Sequence, residues 1–190
     1  MSSTLKAALV LSLVAMVTSS SGCSQGDTSD VQVVEYEDPQ GRFQLMLPAD
    51  WEIAPKESSY RLFSGKPSAS TKRRFDAAVG VTWGPLPCDA MLVDDALAWY
   101  ADKATAAKGY EEVSREERMV DGRRALQASF IVYVPDESES CGLNMWVQGY
   151  GVVWQVTCVA EDCSMYKLHE AVFRRIMNSL ELRGAWSPVG

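Results

Sequence analysis

Between Arg123 and Val159 the chain reads as three strands joined by short turns, and this stretch restricts the fold more than any other. Two long strands are expected over Arg123 to Val134 and Gly142 to Gly149, and Tyr150-Gly151 then offers a tight turn into a third, Val152 to Val159. A two-residue turn there sets Val147 opposite Trp154, Met145 opposite Val156 and Leu143 opposite Cys158, so the apolar faces coincide. A meander of this kind commits the chain to an antiparallel sheet whose faces the other elements must cover.

Those other elements carry their own periods. Phe43, Leu45 and Leu47 alternate with Arg42, Gln44 and Met46 as in a half-buried strand that Pro48 stops, with Trp51 beyond it. Phe75, Ala77, Val79, Val81 and Trp83 alternate in the same way until Gly84-Pro85-Leu86-Pro87 forbids further pairing. Val93, Leu97, Tyr100 and Ala104 recur at helical spacing, giving a helix from Asp89 or Asp94 to Lys108 that an aspartate caps and Gly109 ends. Glu111, Glu112, Arg115, Glu116, Glu117 and Arg118 crowd the segment Tyr110 to Arg118, which fits an edge strand whose charges discourage pairing with another chain. Asp121-Gly122 supplies the next hairpin turn. A final helix starts near Ser164, places Met165, Leu168, Val172, Ile176 and Leu180 along its inner side, and leaves Arg174 and Arg175 outside that stripe. The result is an α+β domain, an α/β/α sandwich with a central, mostly antiparallel sheet and helices on both faces.

The second face of the meander is mixed. Ala125, Gln127, Ser129, Ile131 and Tyr133 are expected there beside Asn144, Trp146, Gln148, Gln155 and Thr157. Either a helix or loop covers this face and the amides satisfy buried backbone groups, or Trp146, Tyr133, Gln148, Asn144 and Gln127 form an aromatic floor with amide hydrogen-bonders for a partner or an apolar ligand.

Ahead of the domain the composition changes. Lys6 and an apolar run from Ala7 to Val17 precede Thr18-Ser19-Ser20-Ser21-Gly22-Cys23, a run too short to cross a bilayer and of the form of an export signal over residues 1–22. Ser21-Gly22-Cys23 resembles the lipobox of bacterial lipoproteins, which implies that the Cys23 sulfur receives a diacylglyceryl group and becomes the new N-terminus. Ser20 stands where an aliphatic residue is usual, so ordinary secretory cleavage with Cys23 as a spare thiol is the alternative. Residues 23–30 form a polar tether, residues 31–183 one domain and residues 184–190 a tail.

An exported chain meets an oxidising compartment, and Cys88, Cys141, Cys158 and Cys163 are even in number, so two disulfides are expected. Four cysteines allow three connectivities; the short spacing favours Cys158 with Cys163, leaving Cys88 with Cys141. No Cys-x-x-Cys spacing supports a zinc site or redox pair, and no metal or cofactor is expected.

The order of elements and several phrases resemble the bacterial PsbP-like lipoproteins, within the wider group that includes the Ran-binding Mog-type import factors. The resemblance spans Val31 to Leu182 and rests on Asp38-Pro39-Gln40-Gly41-Arg42-Phe43 leading to Leu47-Pro48-Ala49-Asp50-Trp51, on Asp121-Gly122-Arg123-Arg124-Ala125, and on Phe173-Arg174-Arg175-Ile176-Met177-Asn178-Ser179-Leu180. It implies the sandwich fold and proteins that mostly bind or assemble others. The phrases themselves carry fold: Gly41 turns the chain, Pro48 ends a strand and Trp51 packs a corner.

Chemistry is harder to place. The chain has one histidine, His169, which reads as a solvated or locally hydrogen-bonded helical residue without a Gly-x-Ser-x-Gly elbow to serve. Phosphate-cradling and dinucleotide fingerprints are missing. Acidic neighbours such as Asp94 and Asp95, or Glu116 and Glu117, point apart along their elements. With a formal net charge of −7 over 190 residues, no basic surface for nucleic acid is expected. The reading is therefore a cell-envelope lipoprotein, on the extracytoplasmic side of a cell or outer membrane, that binds a protein or lipidic partner without catalysis. A carrier of a small apolar ligand is the first alternative and a carboxylate-based hydrolase the second.

Overall fold

The computed structural model describes residues 31–54, 62–67, 75–86, 93–133 and 139–183. The export signal, Cys23 and its tether, Cys88, Val134 and the tail with Trp186 lie outside the described residues. In chain order the elements are β1 (Val33–Glu37), β2 (Phe43–Pro48), β3 (Glu52–Ile53), β4 (Leu62–Pro67), β5 (Phe75–Pro85), α1 (Val93–Thr105), β6 (Tyr110–Val120), β7 (Arg123–Val132), β8 (Ser140–Gly149), β9 (Val152–Ala160), α2 (Cys163–Asn178) and β10 (Glu181–Leu182).

Two hairpin turns organise the sheet. Asp121 and Gly122 have φ of 50° and 66°, and Tyr150 and Gly151 have φ of 56° and 80°. Two successive left-handed residues make the two-residue turn whose twist matches antiparallel strands, which is why glycine holds the second place in both. The second turn gives the expected register, with Val147 opposite Trp154, Met145 opposite Val156 and Leu143 opposite Cys158. Every recorded pairing is antiparallel. The strands form not one sheet but two: a seven-stranded sheet in the order β3-β4-β5-β9-β8-β7-β6, and a three-stranded sheet in the order β1-β2-β10. The charged strand β6 lies at the edge as its sequence predicts, and a register shift between Glu112 and Ser114 leaves Val113 60% exposed. Strand β5 runs further than expected, because Gly84 and Pro85 still pair with Val153 and Val152; a proline at a strand's last position withholds only its own missing N–H.

Strands and two helices together make an α+β fold. Phe43, Leu45, Met145, Val147, Trp154, Phe173 and Ile176 belong to the main core, whereas Trp146 and Val153 join Ala96, Leu97, Ala101 and Ala128 in a second cluster. Helix α2 opens on Asp162, whose Oδ1 accepts the Ser164 and Met165 amides at 2.7 and 2.8 Å. Its inner side differs from the expected stripe. Leu168 is 66% exposed; Val172, Ile176 and Leu180 are buried as expected, and His169, Phe173 and Met177 join them. Steps of four residues each overshoot a helical turn by about 40°, so a stripe extended back by fours from Ile176 walks off the buried face.

The disulfide expectation also changes. Cys141, at the start of β8, pairs with Cys163, the first residue of α2, with Cα atoms 4.9 Å apart. Cys158 is a free, fully buried thiol. It sits opposite Leu143 within the main core, so its side chain belongs to the apolar packing beneath α2, and among the described cysteines it is Cys141 that borders the strand end where α2 begins.

Candidate functional site

The register of β7 divides the residues that the sequence groups into one surface. Leu126 and Ala128 stand opposite Trp146 and Asn144, while Gln127 stands opposite Met145 and Ile131 opposite Cys141. Directly opposed residues point to the same face. Trp146, Asn144 and Gln148 therefore share a face with Leu126 and Ala128, and Gln127 belongs with Met145 on the other.

Each of the five has a definite setting. Trp146 is fully buried against Ala96, Leu97, Ala101 and Val153, and the small side chains of α1 let the helix approach the indole closely. Asn144 anchors a buried network: its Oδ1 accepts the Thr157 hydroxyl at 2.6 Å and the Gln155 amide at 3.3 Å, and its Nδ2 donates to the Tyr110 oxygen at 3.3 Å. Burial pushes the Tyr110 phenol up. Gln148 has a buried Oε1 without a hydrogen-bond partner, as does the indole N–H of Trp146. Gln127 accepts from Arg118 Nη1 at 2.5 Å and donates to Glu116 Oε1 at 3.0 Å, while Arg118 also donates to Asn178 on α2. Tyr133 is 43% exposed and its hydroxyl donates to Glu111 at 2.9 Å.

A different place has the geometry of a binding site. Where α1 crosses β6 and β7, a groove of about 320 Å³ opens with Leu97, Ala98 and Leu126 on its floor and Asp95, Arg115, Glu117 and Arg124 around it. Arg115 links the walls: it donates Nε and Nη2 to Glu112 at 2.8 and 2.9 Å, and Nη1 to Asp102 of α1 at 2.9 Å. The hydrogen bond to Glu112 raises the Arg115 guanidinium well above its ordinary value. Arg124 donates to Glu117 at 2.8 Å, an exposed pair. Exposed ion pairs contribute only about 0–1 kcal/mol each, so a partner's charges can replace them at little cost. The sequence shows these residues only as an edge strand and a helix; nothing in their spacing brings Leu97 beside Leu126, because a helix crossing is a long-range event.

Among the described residues no group of three or more His, Cys, Asp or Glu side chains is placed to hold a metal ion. Among the same residues no helix is long and apolar enough to cross a membrane. His169 is 9% exposed rather than solvated, with its ring 6.5 Å from Trp51 and 6.1 Å from Phe173.

The class is thus an α+β domain built on antiparallel sheet with a cleft between α1 and the β6–β7 hairpin. No family model and no curated protein matches the sequence. Solved structures do match, and they have the Mog/PsbP-type fold, which this chain shares. Cyanobacterial PsbP (CyanoP) from Synechocystis sp. PCC 6803 is similar with a TM-score of 0.57 and 16% identity, over 84% of this chain and 98% of that one. The Saccharomyces cerevisiae Ran-binding protein Mog1p gives a TM-score of 0.60 at 8% identity, over 80% and 96%. LpqN, involved in cell envelope biogenesis of Mycobacterium tuberculosis, gives 0.60 at 14% identity, over 80% and 91%. Similarity at these identities carries the fold and leaves function to the site.

Proposed function

We propose that this chain is a cell-envelope lipoprotein, held to the extracytoplasmic side of a membrane through Cys23, whose domain binds or assembles a protein partner without catalysing a reaction. The carrying observation is the α1/β6–β7 groove: an apolar floor large enough for a few side chains, bordered by Asp95, Arg115, Glu117 and Arg124, with Arg124 paired to Glu117 and Arg115 paired to Asp102 of α1. Leu97, Ala98 and Leu126 supply the area removed from water, and Arg115, Arg124, Asp95 and Glu117 set the orientation of what docks there.

In this reading the domain is a sandwich with one helix on each face of the seven-stranded sheet. Successive residues of β8 support it, since Met145 and Val147 pack in the core that includes Phe173 and Ile176, and Trp146 packs with Ala96 and Leu97. LpqN, involved in cell envelope biogenesis, supports the envelope setting, and the Ran-binding Mog1p supports a protein partner as the ligand class.

The test is a photo-crosslinking residue in place of Ala98, introduced into the chain in its native envelope. A discrete adduct that disappears when Leu126→Glu is added supports the groove. No adduct from position 98, or turnover of a metabolite by the purified protein, overturns the reading. Intact mass of the membrane-extracted protein checks the anchor: a Cys23 start with acyl chains is expected.

A further inference from the structure

The exposed side of α2 differs in character from the protein as a whole. Ser164, Lys167, Leu168, Ala171, Arg174, Arg175 and Asn178 are the exposed residues of this helix, and at 3.6 residues per turn they fall within an arc of about 120°. That stripe holds three cations and no carboxylate, in a chain whose formal net charge is −7. Glu170 flanks it and accepts from Arg174 at 2.8 Å, and Glu116 lies 3.8 Å from the same guanidinium, so Arg174 is partly neutralised. Arg175, two turns on from Leu168, lies within about 20° of it around the helix axis, and Lys167 stands about 100° away toward the other side of the stripe; Leu168, at 66%, is the most exposed large apolar side chain described. A basic stripe that carries an exposed leucine along one edge is the composition of a helix face that rests at a membrane surface, with the leucine entering the headgroup layer and the cations meeting phosphates.

The chain's own path brings this face to the membrane. Arg175 Nη1 donates to the Val31 carbonyl at 3.3 Å, so the described chain begins against α2. Val31 and Val33 line a small cleft with Ala171, Val172 and Arg175. From Cys23 to Val31 the chain advances by eight residues, which reach at most about 28 Å when fully extended. A domain of this size is roughly 40 Å across. A tether shorter than the domain keeps the side that carries Val31 close to the bilayer, and the acidic remainder is repelled from anionic lipid.

We propose that the outer stripe of α2, which carries Lys167, Leu168 and Arg175, is a docking surface for an anionic lipid headgroup layer and orients the anchored domain. The α1/β6–β7 groove is then free to face a partner. The orientation rests on the anchor at Cys23, and the experiment separates the two.

The mature protein is reconstituted in vesicles of phosphatidylcholine with or without phosphatidylglycerol, and hydroxyl-radical footprinting compares Leu168 with Met119, which is 61% exposed on β6. Leu168 oxidation is expected to fall about three-fold or more on the anionic vesicles, with Met119 unchanged, and to recover in high salt. Lys167→Glu with Arg175→Glu restores it while thermal melting reports an intact fold. Equal oxidation of Leu168 on both vesicles overturns the proposal. If intact mass shows no acyl chains, the anchor fails by itself and the same unacylated protein is floated with the vesicles. Flotation with anionic lipid that the double variant loses upholds the stripe, and failure to float overturns it.

Discussion

Arg42 grips Asp38 with a two-point fork, Nε to Oδ2 at 2.6 Å and Nη2 to Oδ1 at 2.8 Å, while the Gln40 and Arg42 amides also donate to Oδ2. Both residues are buried, and Gly41 between them has a φ of 65°, so the loop entering β2 closes around the pair. Burial by itself raises the Asp38 carboxyl, but the Arg42 hydrogen bonds and charge outweigh it and hold the group below the usual carboxylate range.

Removing one partner leaves the other charge buried. Asp38→Ala is expected to cost about 3–5 kcal/mol in urea unfolding, and Arg42→Leu a similar amount. Because the folded-state pKa is depressed, the pair's contribution is present above the ordinary aspartate pKa and is lost as pH falls through the lower folded value. Stability curves of the wild type and Asp38→Ala should therefore converge in acid. Curves that stay parallel down to the acid transition would falsify the assignment.

The Cys141–Cys163 bridge ties β8 to the start of α2 across a sequence separation of 22. A loop of that length contributes about 3 kcal/mol by restricting the unfolded chain, so Cys163→Ser should lower the urea midpoint accordingly. Cys158 behaves oppositely. Burial pushes its thiol far up, leaving no thiolate to react. In native protein a thiol reagent should leave Cys158 untouched, whereas in denaturant it should label it. Rapid native labelling of Cys158 would contradict the packing described.

Much of the architecture was written locally. The turns at Asp121-Gly122 and Tyr150-Gly151, the register that follows, and the charged edge strand all depend on neighbouring residues, and local chemistry decides them. The five candidate surface residues split because the alternation of β7 on its own makes Ala125, Gln127 and Ser129 look polar-side. Pairing with β8 places Gln127 opposite Met145, and its polarity is satisfied inside by Arg118 and Glu116. The disulfide departs from the spacing for a related reason. Spacing favours Cys158 with Cys163, yet the strand directs Cys158 into the core, and the sheet brings distant Cys141 to the helix start. Only the tertiary crossing of α1 over β7 makes the groove.

His169 carries a pH signature. Burial pushes its imidazole below the ordinary histidine value, the Lys66 ammonium adds to the shift, and Asp76 and Asp50 oppose it. The unfolded chain then binds the proton more readily, so stability is lost as pH falls below about 6.5, the unfolded histidine value, and through the folded one. His169→Leu should flatten this part of the curve. Urea midpoints near pH 7.5 and pH 5.5 check it; a slope that persists unchanged in the variant would place its source elsewhere.

Trp146 distinguishes core from contact surface. Its side chain is fully buried between β8 and α1, so Trp146→Ala should destabilise the fold by about 3–5 kcal/mol, visible in thermal melting without any partner present. The indole N–H has no hydrogen-bond partner. Trp146→Phe therefore loses packing volume but no hydrogen bond, and should cost less than half as much as the alanine. Equal losses in the two variants would mean that the indole nitrogen makes an interaction beyond this packing. In the groove, by contrast, Leu126→Glu should leave melting nearly unchanged and act on partner capture alone, because Leu126 is only half-buried at the edge of the α1 cluster. The contrast separates residues that hold α1 in place from those that line the groove between α1 and β7.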